Sequence, residues 1–263
     1  MTEMKKIALG IEYNGSAYNG WQRQKHGLGV QAVLEKALSY VANEPVKVVC
    51  AGRTDTGVHA AGQVVHFDTH AERDERAWVL GANTRLPKDI SVNWAMPVPG
   101  DFHARFSALE RSYRYVICGR PIRPALLNKL VSWDYRSLDE GLMQQAAACL
   151  IGEHDFSSYR AMQCQAKSPV RTVSRLEVIR SGDFIFIDIE ANAFLHHMVR
   201  NIAGVLMAIG AGEKPVAWSA EVLEHRDRTL GGVTASPDGL YFIKVSYPEH
   251  FRVPVTDVKN LFP

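Results

Sequence analysis

Residues 5–42 read KKIALGIEYNGSAYNGWQRQKHGLGVQAVLEKALSYVA and predict a strand, a glycine-rich loop and a helix. The strand covers Lys5 to Tyr13, and the loop follows at once from Asn14 to Gly20. The helix covers Val30 to Ala42 because apolar residues recur there every three or four positions, at Val30, Val33, Leu34, Ala37, Leu38 and Val41.

The rest of the first hundred residues adds two strands, a helix and a further strand. These elements are predicted at Val46 to Cys50, Gln63 to Phe67, Glu75 to Leu86 and Ile90 to Met96. The order of elements is therefore βαββαβ, which is the order of the split-βαβ, ferredoxin-like unit.

The second half predicts the same order with one extra helix. Its elements are Ser107 to Cys118, Leu138 to Ile151, the hairpin of Thr172 to Arg180 and Phe184 to Ala191, the helices Phe194 to Ala211 and Val216 to His225, and the strand Leu240 to Tyr247. We therefore expect an α+β protein of two ferredoxin-like βαββαβ units, in domains 1–104 and 105–263, whose mainly antiparallel sheets meet at a shared central cleft.

Composition excludes several classes of protein. With 263 residues, 46% hydrophobic and 22% charged, the chain is neither disordered nor collagen-like. No export signal is predicted at the amino terminus, and the apolar stretch 202–212 is shorter than the roughly 18 residues of a membrane span. We expect a cytoplasmic protein with no membrane association. Isolated buried thiols, rather than a zinc site or disulfides, are predicted for Cys50, Cys118, Cys149 and Cys164.

The segment AGRTDTGVHA, residues 51–60, is the most unusual in the chain because it places one carboxylate, Asp55, between Arg53 and His59 directly after a strand. Two glycines permit unusual backbone conformations, and Arg53 would favour the ionised form of Asp55 at close approach. An ionised carboxylate suits a nucleophile or a base. The same residues also suit an ordinary turn with a surface ion pair, and that alternative stays open.

Two hydrolase classes fit this segment poorly. Aspartic proteases share the tripeptide DTG, but they need two carboxylates that share one proton, and this sequence has one such tripeptide beside an arginine. Glycosidases usually need a second carboxylate at a defined separation, and no second matched motif is present.

Two further residues are candidates because of their surroundings. Arg200 is the only Asp, Glu, Lys or Arg between Glu190 and Glu213, in a predicted helix that is apolar nearly all round, so it needs an anionic partner unless it reaches the surface. Tyr113 lies on the more apolar face of its predicted strand. It suits either a core position or stacking on a nucleic-acid base.

The formal net charge of +2 conceals two basic segments. Residues 105–136 hold seven Lys or Arg against two acidic residues, and residues 160–180 hold five against one. Aromatic residues are interleaved with them, as expected of a surface that binds RNA, although a charged run is more often only a solvated face. The first segment includes Arg105 and Arg111, which we take as candidate substrate-binding residues.

The segment 51–60 resembles the active-site motif of the tRNA pseudouridine synthase A family, the tRNA pseudouridine(38-40) synthases. Further motifs of the family follow in order along nearly the whole chain: YNG (13–15), GWQRQ (20–24), FHARF (102–106), RSYRY (111–115), GEHDF (152–156), FLHHMVRN (194–201) and GLYF (239–242). The resemblance implies an isomerase that converts uridine to pseudouridine at positions 38, 39 and 40 in the anticodon stem-loop of tRNA.

The resemblance also implies residue roles. Asp55 matches the catalytic aspartate, Tyr113 the tyrosine that stacks on the uracil, and Arg200 the basic partner of the catalytic carboxylate. Leu240 matches the apolar residue against the base, and Arg53 the arginine next to the flipped nucleotide. The reaction needs no cofactor and no metal, and the family is homodimeric with tRNA as its partner. The alternatives are a catalytically silent tRNA-binding or folding module that uses the same basic cleft, and a hydrolase of small glycosides.

Overall fold

The computed structural model describes residues 3–255, and these form a mixed α+β fold with ten strands and five α-helices. The chain divides into two compact units. The first contains Met1–Arg111 and Phe242–Pro263, within the limits of the described residues, and the second contains Ser112–Tyr241.

The first unit confirms the predicted βαββαβ order. Its elements are β1 (Lys5–Tyr13), α1 (Val30–Ala42), β2 (Val49–Cys50), β3 (His59–Thr69), α2 (Glu75–Asn83) and β4 (Ile90–Val98). Strand β1 lies between β3 and β4 and is antiparallel to both, while β2 is antiparallel to β3. Strand β10 (Leu240–Ser246) is the neighbour of β3 on the side opposite β1.

The core of the first unit lies between its sheet and its two helices. Leu34 and Leu38 on α1 are fully buried, as the spacing of apolar residues predicts. Helix α2 is capped at its start by Asp74, whose carboxylate accepts the amide N–H of Ala77 at 2.6 Å. Trp78 on α2 then packs edge-to-face on Phe67 of β3, with 5.1 Å between ring centroids.

The second unit contains two strands that the sequence did not predict. Its elements are β5 (Glu110–Gly119), β6 (Ser132–Asp134), α3 (Glu140–Ala147), β7 (Gly152–Asp155), β8 (Val170–Ser181), β9 (Phe184–Ala191), α4 (Met198–Gly210) and α5 (Trp218–His225). The hairpin of β8 and β9 is confirmed, with Gly182 at φ +56° in its turn. The strand order is β5-β9-β8-β7, and the unpredicted β6 is parallel to β5.

The prediction that α4 begins at Phe194 is wrong. His197 has φ +63°, a left-handed conformation that ends any continuous helix from the residues before it, and α4 begins at Met198. Arg200 therefore lies in the first turn of the helix and not in its middle.

The compact units also differ from the domains predicted at 1–104 and 105–263. The first unit extends to Arg111, and it takes in the last strand from Phe242 onward. The physical reason is the pairing of β10 with β3, where the two backbones approach closely at Gly62.

Two expectations from composition can be compared with the described residues. All four cysteines are free thiols, but only Cys118 is buried as predicted, and Cys50, Cys149 and Cys164 are half-buried. Among the helices within residues 3–255, none has both the length and the apolar character needed to cross a membrane.

The close approach at Gly62 gives a prediction about stability. A β-carbon at this position would lie 2.0 Å from the backbone oxygen of Ile243. We expect Gly62→Ala to lower the free energy of unfolding by about 1 to 3 kcal/mol, as overpacking does elsewhere, in urea denaturation. The control is Gly100→Ala, because a β-carbon there meets nothing within 4 Å. Equal urea midpoints for the two variants would contradict the pairing of β10 with β3.

Candidate active site

The loop that carries Asp55 leaves β2 and enters β3, as predicted from the sequence. Asp55 is half-buried, its neighbour Thr54 is buried, and Arg53 and Thr56 are exposed. The carboxylate is therefore displayed at the surface of the first unit by a backbone that lies largely inside it.

Hydrogen bonds fix the backbone on both sides of Asp55. The hydroxyls of Tyr13 and Thr54 are 2.7 Å apart, and the carbonyl of Thr54 accepts the amide N–H of Trp21 at 3.0 Å. After Asp55, the amide of Val58 donates to the carbonyl of Asp55 itself at 3.1 Å. These hydrogen bonds hold the backbone on both sides of Asp55 before any substrate binds.

The support of this loop comes from the strand and glycine-rich segment that open the chain. Burial raises the pKa of Tyr13 well above its usual range, so its hydroxyl keeps its proton and remains a hydrogen-bond partner of Thr54. The amide of Gly15 donates to Nδ1 of His59 at 3.0 Å, and a β-carbon on Gly15 would lie 2.0 Å from the carbonyl oxygen of Val58. The YNG motif is therefore required by packing against the Asp55 loop.

Gly57 completes the turn. Its φ of +80° lies in the left-handed region that favours glycine, and its amide donates to the carbonyl of Tyr18 at 3.3 Å. The second glycine of the motif is thus explained by backbone conformation.

The base of the loop is held by two side chains. The amide nitrogen of Gln63 donates to the carbonyl of Gly52 at 2.6 Å. The guanidinium of Arg111 donates to the carbonyl of Ala51 at 3.3 Å, to that of Ala108 at 3.2 Å, and through a short bond to that of Arg105. Arg111 was predicted to bind substrate, and the structure gives it contacts that join the loop to residues 105–108.

Cys50, directly before the loop, is not suited to act as a nucleophile. Burial raises the pKa of its thiol to about 12, although the positive charges of Arg53 and Arg105 act in the opposite direction. Both arginines are exposed.

Four of the predicted site residues lie in the first unit: Arg53, Asp55, Arg105 and Arg111.

The second unit holds the other three. Tyr113 on β5 is 9% exposed and packs edge-to-face on Phe194, with 5.0 Å between ring centroids and 80° between planes. Leu240 at the start of β10 is 5% exposed. Both side chains are therefore buried, and that of Tyr113 has an aromatic neighbour.

Arg200 is half-buried, which corrects the expectation of a fully buried arginine. Its Nε donates to the carbonyl of Ala235 at 2.8 Å, and the amide of Ala235 donates back to the carbonyl of Arg200 at 3.1 Å. These two hydrogen bonds hold the Arg200 Nε against Ala235 in the segment before β10. They therefore limit the orientations that the guanidinium can adopt.

Asn201 is a structural residue that the sequence reasoning missed. It is 1% exposed, and its amide nitrogen donates to the carbonyl of Tyr159 at 2.7 Å. Its amide oxygen accepts from Thr234 at 2.6 Å and from Arg228 at 3.2 Å. The segment 228–235 is thereby attached to α4 beside Arg200. The sequence signal that could have identified Asn201 is a polar residue within a mostly apolar helical stretch.

Salt bridges within the second unit reduce the charge that the two basic segments offer. Arg114 binds Asp188 through two bonds of 2.7 and 2.8 Å. Three more arginines of these segments pair with nearby acids: Arg136 with Asp134 and Glu213, Arg175 with Glu177 and Glu190, and Arg180 with Glu140. The count of basic residues in the sequence therefore overstates the positive potential of this surface.

A family model described as tRNA pseudouridine synthase matches residues 10–107 and 146–248. The chain belongs to this family. The matched ranges contain five of the predicted site residues: Arg53, Asp55, Arg105, Arg200 and Leu240. The other two, Arg111 and Tyr113, lie outside these ranges.

Several curated relatives resemble the chain along nearly all of its length. A tRNA pseudouridine synthase A of Pseudomonas aeruginosa is 61% identical over 95% of this chain and 88% of its own length. Those of Nitrosococcus oceani and Klebsiella pneumoniae are 61% and 55% identical, over 95% and 100% of this chain and 96% and 99% of their own lengths. A solved Cbf5-Nop10-Gar1 complex matches at 13% identity with a TM-score of 0.38, over 90% of this chain and 48% of that chain, too low to carry an argument.

The contacts of Arg111 give a prediction that separates support of the loop from binding of substrate. We expect Arg111→Lys to lower the free energy of unfolding by about 1 to 3 kcal/mol, because one ammonium group cannot replace a guanidinium that bridges three carbonyls. Arg53→Lys, at an exposed position, is the control and should unfold at the wild-type urea concentration. If Arg111→Lys instead keeps wild-type stability and only loses affinity for tRNA, its main role is contact with phosphate.

Proposed function

We propose that the chain isomerises uridine to pseudouridine at positions 38, 39 and 40 of the anticodon stem-loop of tRNA. The observation that carries this proposal is the similarity to curated tRNA pseudouridine synthase A proteins, at 55 to 61% identity over nearly the full chain. The Asp55 loop supports it, because hydrogen bonds hold the backbone that displays the half-buried carboxylate.

In the proposed mechanism Asp55 attacks the target nucleoside. Attack of the carboxylate on C1′ of the ribose forms a C–O bond and breaks the bond between C1′ and N1, so that uracil leaves with the electron pair. Uracil then turns, and C5 displaces the carboxylate from C1′, which forms the C5–C1′ bond, breaks the C–O bond and frees Asp55; the C5 proton is then lost and N1 gains a proton. In a route through a glycal, the carboxylate instead removes the C2′ proton while uracil is eliminated, and the proton returns to C2′ when C5 bonds to C1′. The hydrogen bonds on both sides of Asp55 support either route, because they hold the backbone that carries the carboxylate.

The other site residues have roles around the base. Tyr113 stacks on the uracil and assists removal of the C5 proton, Leu240 contacts the base, and Arg53 lies next to the flipped nucleotide. Arg200 is the basic partner of Asp55. The burial of Tyr113 and Leu240 and the fixed Nε of Arg200 support these roles. Flipping the nucleotide costs a few kcal/mol, which stacking and phosphate contacts offset.

We further propose the arrangement that the family resemblance implies. Two ferredoxin-like units meet at a central basic cleft, and two copies of the chain form a cytoplasmic homodimer that binds tRNA without a cofactor or metal. Exposed basic residues outside the salt bridges, including Arg123 and Lys167, support an electrostatic contribution to tRNA binding.

The role of Asp55 is tested by its amide variant. We expect Asp55→Asn to reduce tritium release from C5-labelled uridine in tRNA by at least about a thousandfold, because an amide cannot act as the nucleophile. Asp101→Asn, at an exposed position of the same unit, should keep the wild-type rate. Release by Asp55→Asn at a rate near that of wild type would contradict the mechanism. Binding of tRNA with no release by wild type would instead favour a silent binding module.

The electrostatic contribution is tested by reversing single charges. We expect Arg123→Glu and Lys167→Glu each to weaken tRNA binding several-fold at low salt and to flatten its dependence on salt concentration. Lys36→Glu, on the exposed side of α1, should change both quantities less. Equal changes in tRNA affinity for all three variants would mean that binding depends on the net charge of the chain and not on the positions of Arg123 and Lys167.

A further inference from the structure

The loop at residues 102–108 of the first unit has an unusually rigid backbone. Nδ1 of His103 accepts the amides of Arg105 at 3.2 Å and Phe106 at 3.1 Å. The amide of Ala104 donates to Nδ1 of His66 at 3.1 Å, and the carbonyl of Ala104 accepts the hydroxyl of Tyr247 at 2.7 Å. These contacts leave the backbone little freedom to rearrange.

Both histidines are suited to accept these bonds. Burial lowers the pKa of His66 to about 4, and burial with the charge of Lys6 lowers the pKa of His103. Neutral rings near pH 7 keep Nδ1 available as an acceptor. The loop is therefore held in one conformation under physiological conditions.

Phe106 projects from this rigid loop into solvent with 76% of its surface exposed. The ring of His103 stacks beside it, with 4.3 Å between centroids and 27° between planes. The guanidinium of Arg105 lies 5.6 Å from the ring centroid. An aromatic side chain that is held at its backbone, backed by a second ring and left open to solvent has the form of a stacking platform.

The platform lies beside the Asp55 loop. One nitrogen of the Arg111 guanidinium bonds both to the carbonyl of Arg105 and to that of Ala51, the residue at the base of the Asp55 loop. The positive charges of Arg53 and Arg105 both act to lower the pKa of the Cys50 thiol, so both arginines are near the base of the Asp55 loop. Phe106 therefore lies near positively charged side chains. The Arg111 side chain connects its loop to the segment that carries Asp55.

We propose that Phe106 stacks on an unpaired base of the RNA substrate, a base other than the one that reacts, and so positions the RNA relative to Asp55. The occupant is a nucleic-acid base because the platform combines an exposed ring with arginines that suit a phosphate backbone. This inference rests on the proposed function, since it requires an RNA substrate. Phe106 is a positioning residue, and it does not touch the reacting atoms.

The test compares three variants of the full-length protein. Phe106→Leu keeps an apolar side chain but removes the ring, and Phe106→Trp restores a ring. The matched control is Tyr40→Leu, because Tyr40 is 62% exposed on α1 of the same unit and also has an arginine, Arg85, over its ring at 3.6 Å. Both positions are exposed, so all three variants should fold, which circular dichroism and urea midpoints check.

The measured quantities are the Kd for unmodified tRNA, and KM and kcat for pseudouridine formation. We expect Phe106→Leu to raise Kd and KM about tenfold while kcat stays within about twofold, and Phe106→Trp to restore both. Tyr40→Leu should match wild type.

Three outcomes would overturn the inference. These are unchanged Kd and KM in Phe106→Leu, an equal loss in Tyr40→Leu, and a change in oligomeric state in Phe106→Leu, which would mean that the ring contacts a second copy of the chain. Failure of the proposed function is distinguishable, because wild type itself would then form no pseudouridine.

Discussion

The hydrogen bond between the buried hydroxyls of Tyr13 and Thr54 is the contact on which the candidate site depends most. It joins the end of the first strand to the residue before Asp55, inside a unit where neither hydroxyl can turn to water instead. Loss of the Tyr13 hydroxyl would remove this partner from the buried Thr54 hydroxyl, at a cost of about 1 to 3 kcal/mol. The orientation of one carboxylate is thus connected directly to the stability of the first sheet.

The sequence predicted those parts of the fold that local pattern determines. Strand β1 and helix α1 have the predicted ends, because the apolar spacing of α1 is uninterrupted and Asn43 ends it in a left-handed conformation. Strands β6 and β7 were missed because they are only three and four residues long, and pairing with β5 and β8 is what makes them strands. The false start of α4 has a similar cause, since no local signal marks the left-handed conformation of His197.

Sequence reasoning also found the Asp55 loop but not what supports it. The motif pointed to a displayed carboxylate, whereas the bridging role of Arg111 depends on carbonyls that lie up to 60 positions away in the sequence. The same limit explains the basic segments, where Arg114 is paired with an aspartate 74 positions away. Local charge counts cannot include such partners, so they overestimate the free positive charge.

The central claim is that this chain forms pseudouridine in the anticodon stem-loop of tRNA through the chemistry of its Asp55 loop. The most direct measurement is a map of pseudouridine at single-nucleotide resolution in total tRNA from cells that lack this gene, and from the same cells with the gene restored. The account predicts that pseudouridine at positions 38, 39 and 40 disappears without the gene and returns with it. Persistence of pseudouridine at these positions without the gene, or loss only at other positions, would contradict the account.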